Sequence, residues 1–273
     1  MGNLIRAEFY RIRCQRWGFY SLIASVLGGT ILMTILCGTP PQSGDAALLF
    51  QVLEYMFILG MVFAIPCADL ASTQVDGKQI LLKNEAVFGI PRWQMYLSRL
   101  FTALLLGVGL VLAMTLLAIV LSLVFLPGID LLPQVLFQYT LLMLAALPLW
   151  MASAGIYLCL KFVFRSGAMA GILMALYYLV GFPILGAAVT VVSPETGRPS
   201  LLSRLLYALH PMTSFWNEGM LMEEIETGVS IVLSPEAFVA SPPPLLQCWA
   251  IGAFWLVLTS AVAIFFLRKR ELR

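Results

Sequence analysis

A single histidine, His210, among 273 residues limits the chemistry open to this chain. Nucleophilic hydrolysis needs an imidazole beside a hydroxyl or thiol and an orienting acid, and catalytic zinc needs several protein ligands. His210 stands beside Pro211 and is expected at an exposed helix end. Glu223-Glu224 is a carboxylate pair suited to acid–base work in an intramembrane protease, yet that chemistry requires further histidines. Nucleotide hydrolysis is equally short of parts. A phosphate-binding loop needs Gly, four residues, then Gly-Lys-Ser/Thr, because backbone amides cradle the phosphates and the hydroxyl holds magnesium. Here Gly77-Lys78 is followed by Gln79, and Ser72 stands where the first glycine belongs. Cys14, Cys37, Cys67, Cys159 and Cys248 are too scattered for a disulfide framework or a zinc site. The chain is not expected to be an enzyme by itself, and no metal site is expected.

The elements that position these residues lie in lipid. With 61% hydrophobic and 11% charged residues, the chain has no soluble counterpart of its length. An all-α membrane protein is expected, as one domain over 1–273. Apolar runs near the roughly 20 residues that a bilayer requires occur at Trp17–Cys37, Ala47–Leu70, Leu100–Leu126, Pro133–Leu160, Gly167–Val192 and Gln247–Leu267. The first is too long for the core of a signal peptide, so it reads as an uncleaved span. Lys161–Arg165 is a short loop between the fourth and fifth spans. On this layout only Arg198 and Arg204 of the 16 basic residues fall on one side. Six spans with both termini cytoplasmic follow from that asymmetry. The expected setting is the plasma membrane, with no nucleic-acid partner.

Within the second run, Gln51, Glu54 and Tyr55 form a polar group. An acid at that depth must be paired, protonated or facing water, so these residues either line a substrate path or bond between helices. Asp69 lies near the inner surface in a solvated or capping role. Gly167 and Gly171 have the small-xxx-small spacing of close helix packing, and Pro183 marks a kink. In the outer segment 193–246, leucines at 201, 202, 205, 206 and 209 recur at helical spacing, and Trp216 and Met220 stand among glutamates. This segment reads as amphipathic helices on the outer leaflet, with Trp216 and Met220 on the substrate path.

Before the first span, Arg6, Arg11, Arg13 and Arg16 alternate with Ile5, Phe9 and Ile12, the pattern of a helix lying at the membrane surface. Between the second and third spans, Asp69–Leu100 carries Lys78, Lys83, Arg92 and Arg99 around the apolar residues Ile80, Leu81, Leu82 and Phe88. A short helix with an apolar side is expected there, followed by a Gly89-Ile90-Pro91 turn, with Pro91 opening the next helix.

Taken together, the chain resembles the membrane subunits of ABC-2-type exporters. The start NLIRAEFYRIRCQRW is similar to that family's elbow helix (1–16), with Glu8, Phe9 and Arg13 in its characteristic acidic, aromatic and basic places. The stretch VDGKQILLKNEAVFGIPRWQMYLSRL is similar to the coupling segment (71–99), and LHPMTSF to the motif preceding the outer re-entrant helices. The resemblance implies a pair of membrane subunits, two copies or a copy with a paralogue. It also implies two cytosolic ATPase subunits that hold ATP and Mg; this chain would bind no cofactor itself. Lys78, Leu81, Leu82, Lys83, Phe88 and Arg92 would then couple to the ATPase. Nearly uncharged spans beside methionines, aromatics and acids favour an amphipathic peptide as substrate. Small drugs, ions or lipids are the alternative cargo, and a membrane scaffold or sensor is the alternative outside transport.

Overall fold

The computed structural model describes residues 2–37, 60, 62, 64–72, 87–125, 132–181, 183–185, 187, 205–206, 209–211 and 245–269. The secondary structure among them is helical throughout. Helix α1 is Gly2–Cys14, α2 Arg16–Cys37, α3 Arg92–Phe125, α4 Leu132–Phe164, α5 Gly167–Ala175 and α6 Leu245–Lys269. Residues 64–71 form a further helical piece between α2 and α3. Four described helices are long and apolar enough to cross a membrane: Arg92–Leu121, Met143–Phe164, Gly167–Leu185 and Leu245–Lys269. These mark the chain as a membrane protein that is helical among the described residues. A shorter apolar helix covers Trp17–Leu32 within the expected first span. Most of the expected second span and most of the outer segment lie outside the described residues.

Helix α4 is the axis of the bundle. Its spanning stretch is 72% buried, against 12% for α3 and 22% for α6. The cause is composition: Ala145, Ala146, Ala152, Ser153, Ala154 and Gly155 keep α4 slim where neighbours press on it, and all six are buried. The tightest approach is to α6. A Cβ on Gly252 would fall 2.5 Å from Pro148 Cβ and 2.6 Å from the Pro148 carbonyl oxygen. Without a driving force from water between helices in lipid, such close packing supplies much of the association.

Pro148 sits inside α4 and has no N–H to give the carbonyl of Leu144 one turn earlier. The indole of Trp249 on α6 donates to that carbonyl at 3.0 Å. A backbone group that has no water to turn to in lipid is thus answered by the neighbouring helix. The fifth run departs from α-helix earlier than Pro183 alone suggests. Leu176–Gly181 is a π-helical turn directly after α5. A proline ring crowds the carbonyl four residues before it, here Leu179, and the wider turn relieves that crowding.

Three apolar clusters fill the bundle. At the end carrying α1, Met95, Tyr96 and Leu100 pack with Leu158, Phe162 and Leu267. Toward the far end Leu149, Trp150, Cys248 and Ile251 do the same. Ile12, Leu22, Val26 and Cys67 join α1, α2 and the 64–71 piece to the centre.

Because the Gly252 approach is to backbone as well as to a ring, Gly252→Ala must push α4 and α6 apart. A loss of about 1–3 kcal/mol, the usual cost of overpacking, is expected as a lower unfolding midpoint in detergent. A midpoint unchanged from wild type would mean that the two helices are not in this contact.

Candidate functional site

Two groupings of polar side chains stand out in a largely apolar interior. The first is a belt of charge at the α1 end. The chain enters α3 through Gly89, whose φ of 77° suits glycine. Arg92 opens the helix, and its Nη1 donates to the carbonyls of Leu267 at 2.8 Å and Arg268 at 3.0 Å. Those are last-turn carbonyls of α6, which have no partner within their own helix and carry the negative end of its dipole. Arg92 therefore ties the start of one span to the end of another.

Further along α3, Arg99 is fully buried. Its Nη1 donates to the carbonyl of Met95 at 2.8 Å, and its Nη2 lies 3.6 Å from Glu8 Oε1 on α1. Glu8 is itself buried and also ion-paired with Arg11, one turn along the same helix. The buried stripe of α1 is thus Glu8 and Ile12, while Phe9 and Arg13 are exposed. Of the apolar residues Ile5, Phe9 and Ile12, only Ile12 is buried, and the charge on Arg99 draws Glu8 inward beside it.

The second buried cation is Lys161. Its Nζ lies 2.6 Å from Asp69 Oδ1, and Tyr157 Oη donates to the same oxygen at 2.6 Å. Tyr157 and Lys161 are one helical turn apart, so both reach Asp69 from one face of α4. The lysine is enclosed, while Asp69 keeps 43% of its side chain exposed. Water screens the carboxylate side of this pair, so the enclosed ammonium depends on it more than the reverse. Two sequence readings change here. Lys161 belongs to α4 and not to a loop, since the helix runs on to Phe164 and only the turn at Arg165-Ser166 separates it from α5. Asp69 is a helix-to-helix anchor and not merely a solvated terminus.

Beside the belt, Val87 and Phe88 are exposed, Phe88 by 82%, and Trp93 is partly so. Phe88 is thus free to meet a partner, whereas Arg92 is engaged with α6. Of the other expected site residues, Lys78, Leu81, Leu82 and Lys83, the path residues Gln51, Glu54 and Tyr55, and Trp216 and Met220 lie outside the described residues.

The second grouping is an aromatic node at the far end, on the π-helical turn. His210 is buried, not at an exposed helix end. Its ring is stacked at 4.5 Å from Tyr177 and edge-on at 5.6 Å to Tyr178, and its Nε2 lies 3.4 Å from the Tyr177 carbonyl oxygen. Trp255 of α6 donates its indole N–H to Leu209 O at 2.6 Å, and the Tyr178 hydroxyl lies 2.5 Å from Ser153 Oγ on α4. Four segments are joined here: α4, the π-helical turn, the 209–211 piece and α6. Burial lowers the His210 pKa to about 4, with the Tyr177 carbonyl opposing in part. At neutral pH the ring is an uncharged packing group.

Sequence reasoning named Glu8, Phe88, Arg92 and Arg99, but missed Lys161, Tyr157 and the His210 node as sites. The Tyr157/Lys161 spacing within an apolar run was the available signal: a lysine one turn from a tyrosine, at the edge of lipid, needs a carboxylate. Compared with protein-family models and with curated proteins, the chain matches none. Its functional reading rests on its own residues.

Two outcomes follow. Arg99→Ala should cost about 3 kcal/mol, as removal of one member of a buried pair does. Glu8→Gln combined with Arg99→Met should recover more than half of that, read as unfolding midpoints; a double variant no better than the single would show that the two charges are not coupled. For His210 the folded pKa lies below the unfolded value near 6.5. Its contribution is intact above pH 6.5 and is lost progressively as pH falls from 6.5 through 4, by at most about 3.5 kcal/mol at roughly 1.4 kcal/mol per pH unit. Wild type should lose more stability than His210→Gln between pH 7 and 4.5. Parallel losses would place His210 in water.

Proposed function

We propose that this chain is the membrane-spanning subunit of an ATP-driven exporter of the ABC-2 kind, in the plasma membrane of a bacterium. On this reading it has six spans and both termini in the cytoplasm. It works as a pair of membrane subunits beneath two cytosolic ATPase subunits that hold ATP and Mg. The observation that carries the proposal is the buried Glu8–Arg99 pair, which fastens the surface helix α1 to the foot of α3 just after the exposed Val87 and Phe88. In such an exporter the ATPase must push on something stiff. A segment with apolar anchors, ending in a helix whose first turns are tied to α1 and to the end of α6, suits that need.

In this mechanism Leu81, Leu82 and Phe88 fill a groove on the ATPase, with Lys78 and Lys83 at the rim. Closure of the ATPase pair on ATP moves the foot of α3. Arg99 passes the motion to α1 through Glu8, and Arg92 passes it to α6. The cargo is an amphipathic peptide, which suits spans with few charges and an outer segment that mixes Trp216 and Met220 with acids.

The test joins the full-length chain to the ATPase encoded beside it. Copurification is expected, with ATP hydrolysis raised by cationic amphipathic peptides above the response to dyes or lipids. Buried apolar anchors typically carry about 2 kcal/mol of binding each. Phe88→Ala should therefore weaken ATPase capture about thirtyfold and abolish transport while membrane insertion stays normal. Full transport by Phe88→Ala would make this segment a mere connector and remove the proposal's mechanical basis.

A further inference from the structure

Between the far halves of α3 and α4 lies a crevice of about 410 Å³. We infer that it is a resident lipid site, holding one acyl chain of a phospholipid from the membrane leaflet remote from α1. The inference goes beyond the export reading and does not depend on it.

Its walls are two helical stripes, Val108, Thr115 and Ile119 on α3 facing Thr140, Leu147 and Trp150 on α4. None of the described lining residues is charged, and the Thr115 hydroxyl is turned to the sulfur of Met143, 4.0 Å away. An occupant must therefore be apolar where it lies between the helices. The volume falls within the roughly 300–1,000 Å³ of ligand pockets, too large for a packing fault. The deep end is closed by Trp150, whose ring rests on Gly60 so closely that a Cβ there would fall 2.5 Å from it.

Length selects the occupant. From Val108 to Ile119 there are eleven helical rises, or about 16 Å at ~1.5 Å each. Half of a ~30 Å hydrocarbon core is about 15 Å. The crevice is thus as deep as a single leaflet, with its closed end at mid-membrane and its other end at the level of the headgroups. Along its rim Leu112 and Leu144 are exposed, continuing the apolar outer stripe of Leu105, Leu116 and Val120. Among the described residues, a chain from the surrounding bilayer meets no polar barrier on the way in. A second protein chain seated on this face would have to press side chains into the crevice from a helix, whereas a lipid tail enters along its length.

The experiment uses the full chain in phosphatidylcholine vesicles without ATPase or nucleotide, so its failure is separate from failure of the export reading. The vesicles carry phosphatidylcholine with a photoactivatable diazirine at either the middle or the terminal end of one acyl chain. The terminal probe should mark Trp150 or Leu147 and the middle probe residues nearer Ile119 and Thr140. Thr115→Phe and Thr140→Phe, made separately to fill the space, should each lower the adduct at the floor at least fivefold. Adducts on the exposed Val257 and Phe265 of α6 should stay unchanged, which also reports that the variants are inserted. Wild-type protein labelled on α6 but never on Trp150 or Leu147 overturns the inference, as does floor labelling that the fillings leave unchanged. An unlabelled floor together with a disulfide between two copies of Thr140→Cys would assign the crevice to a second copy and likewise overturn it.

Discussion

A cation withdrawn from water must be answered within the protein, and the arrangement of this bundle follows from how Lys161 and Arg99 are answered. Apolar helices in lipid are free to slide and rotate, because one oily face is much like another. An ammonium 2.6 Å from a carboxylate is not free in that sense. Lys161 fixes the depth of the 64–71 piece against α4, and Arg99 fixes that of α1 against α3. Arg92 adds the end of α6 through its carbonyls. Each partner comes from a different stretch of chain, so three contacts at one end align most of the described elements. Desolvating these charges is costly, and their net stabilisation is small. What they supply is a single register.

The same accounting extends to the backbone. Pro148 and Pro183 each interrupt a helix, and at each a ring from elsewhere in the chain comes to rest beside a nearby backbone carbonyl. Trp249 satisfies the carbonyl freed by Pro148, while the turn preceding Pro183 widens and receives His210 beside the Tyr177 carbonyl. Both devices bring an aromatic or imidazole ring from elsewhere in the chain. This places α6 against α4, and the 209–211 piece against the π-helical turn, without any further charge.

Helical class and most helix limits were legible in the sequence because they depend on local hydropathy. Arg16–Cys37 and Leu245–Lys269 differ from the expected runs by no more than two residues at either end. α3 starts at Arg92, directly after the Pro91 expected to open it, and so begins two turns ahead of the apolar run at Leu100, because its early arginines find partners within the protein. The functional residues were less legible for the opposite reason. Hydropathy assigns Lys161 to a loop and His210 to an exposed end, yet both are buried by partners far along the chain: Asp69 lies 92 residues from Lys161. The Glu8 face of α1 was hidden likewise. No window on α1 contains Arg99, so nothing local marks the acid as buried. Glu8, Arg92 and Arg99 were still singled out, on a resemblance of motif and not on any local pattern.

Length gives α3 a mechanical character of its own. Its 34 residues make a rod of about 51 Å, longer than the ~40–45 Å of a bilayer with its headgroups. The sequence holds no proline within it to act as a joint. Clamped near its foot by Arg92 and Arg99, and resting on α4 further up, such a rod works as a beam on a fulcrum. A displacement of a few ångströms at the clamp reappears at the opposite face with its sense reversed and little lost to bending. The bilayer is then crossed by a lever, with no relay of side-chain rearrangements needed along the way.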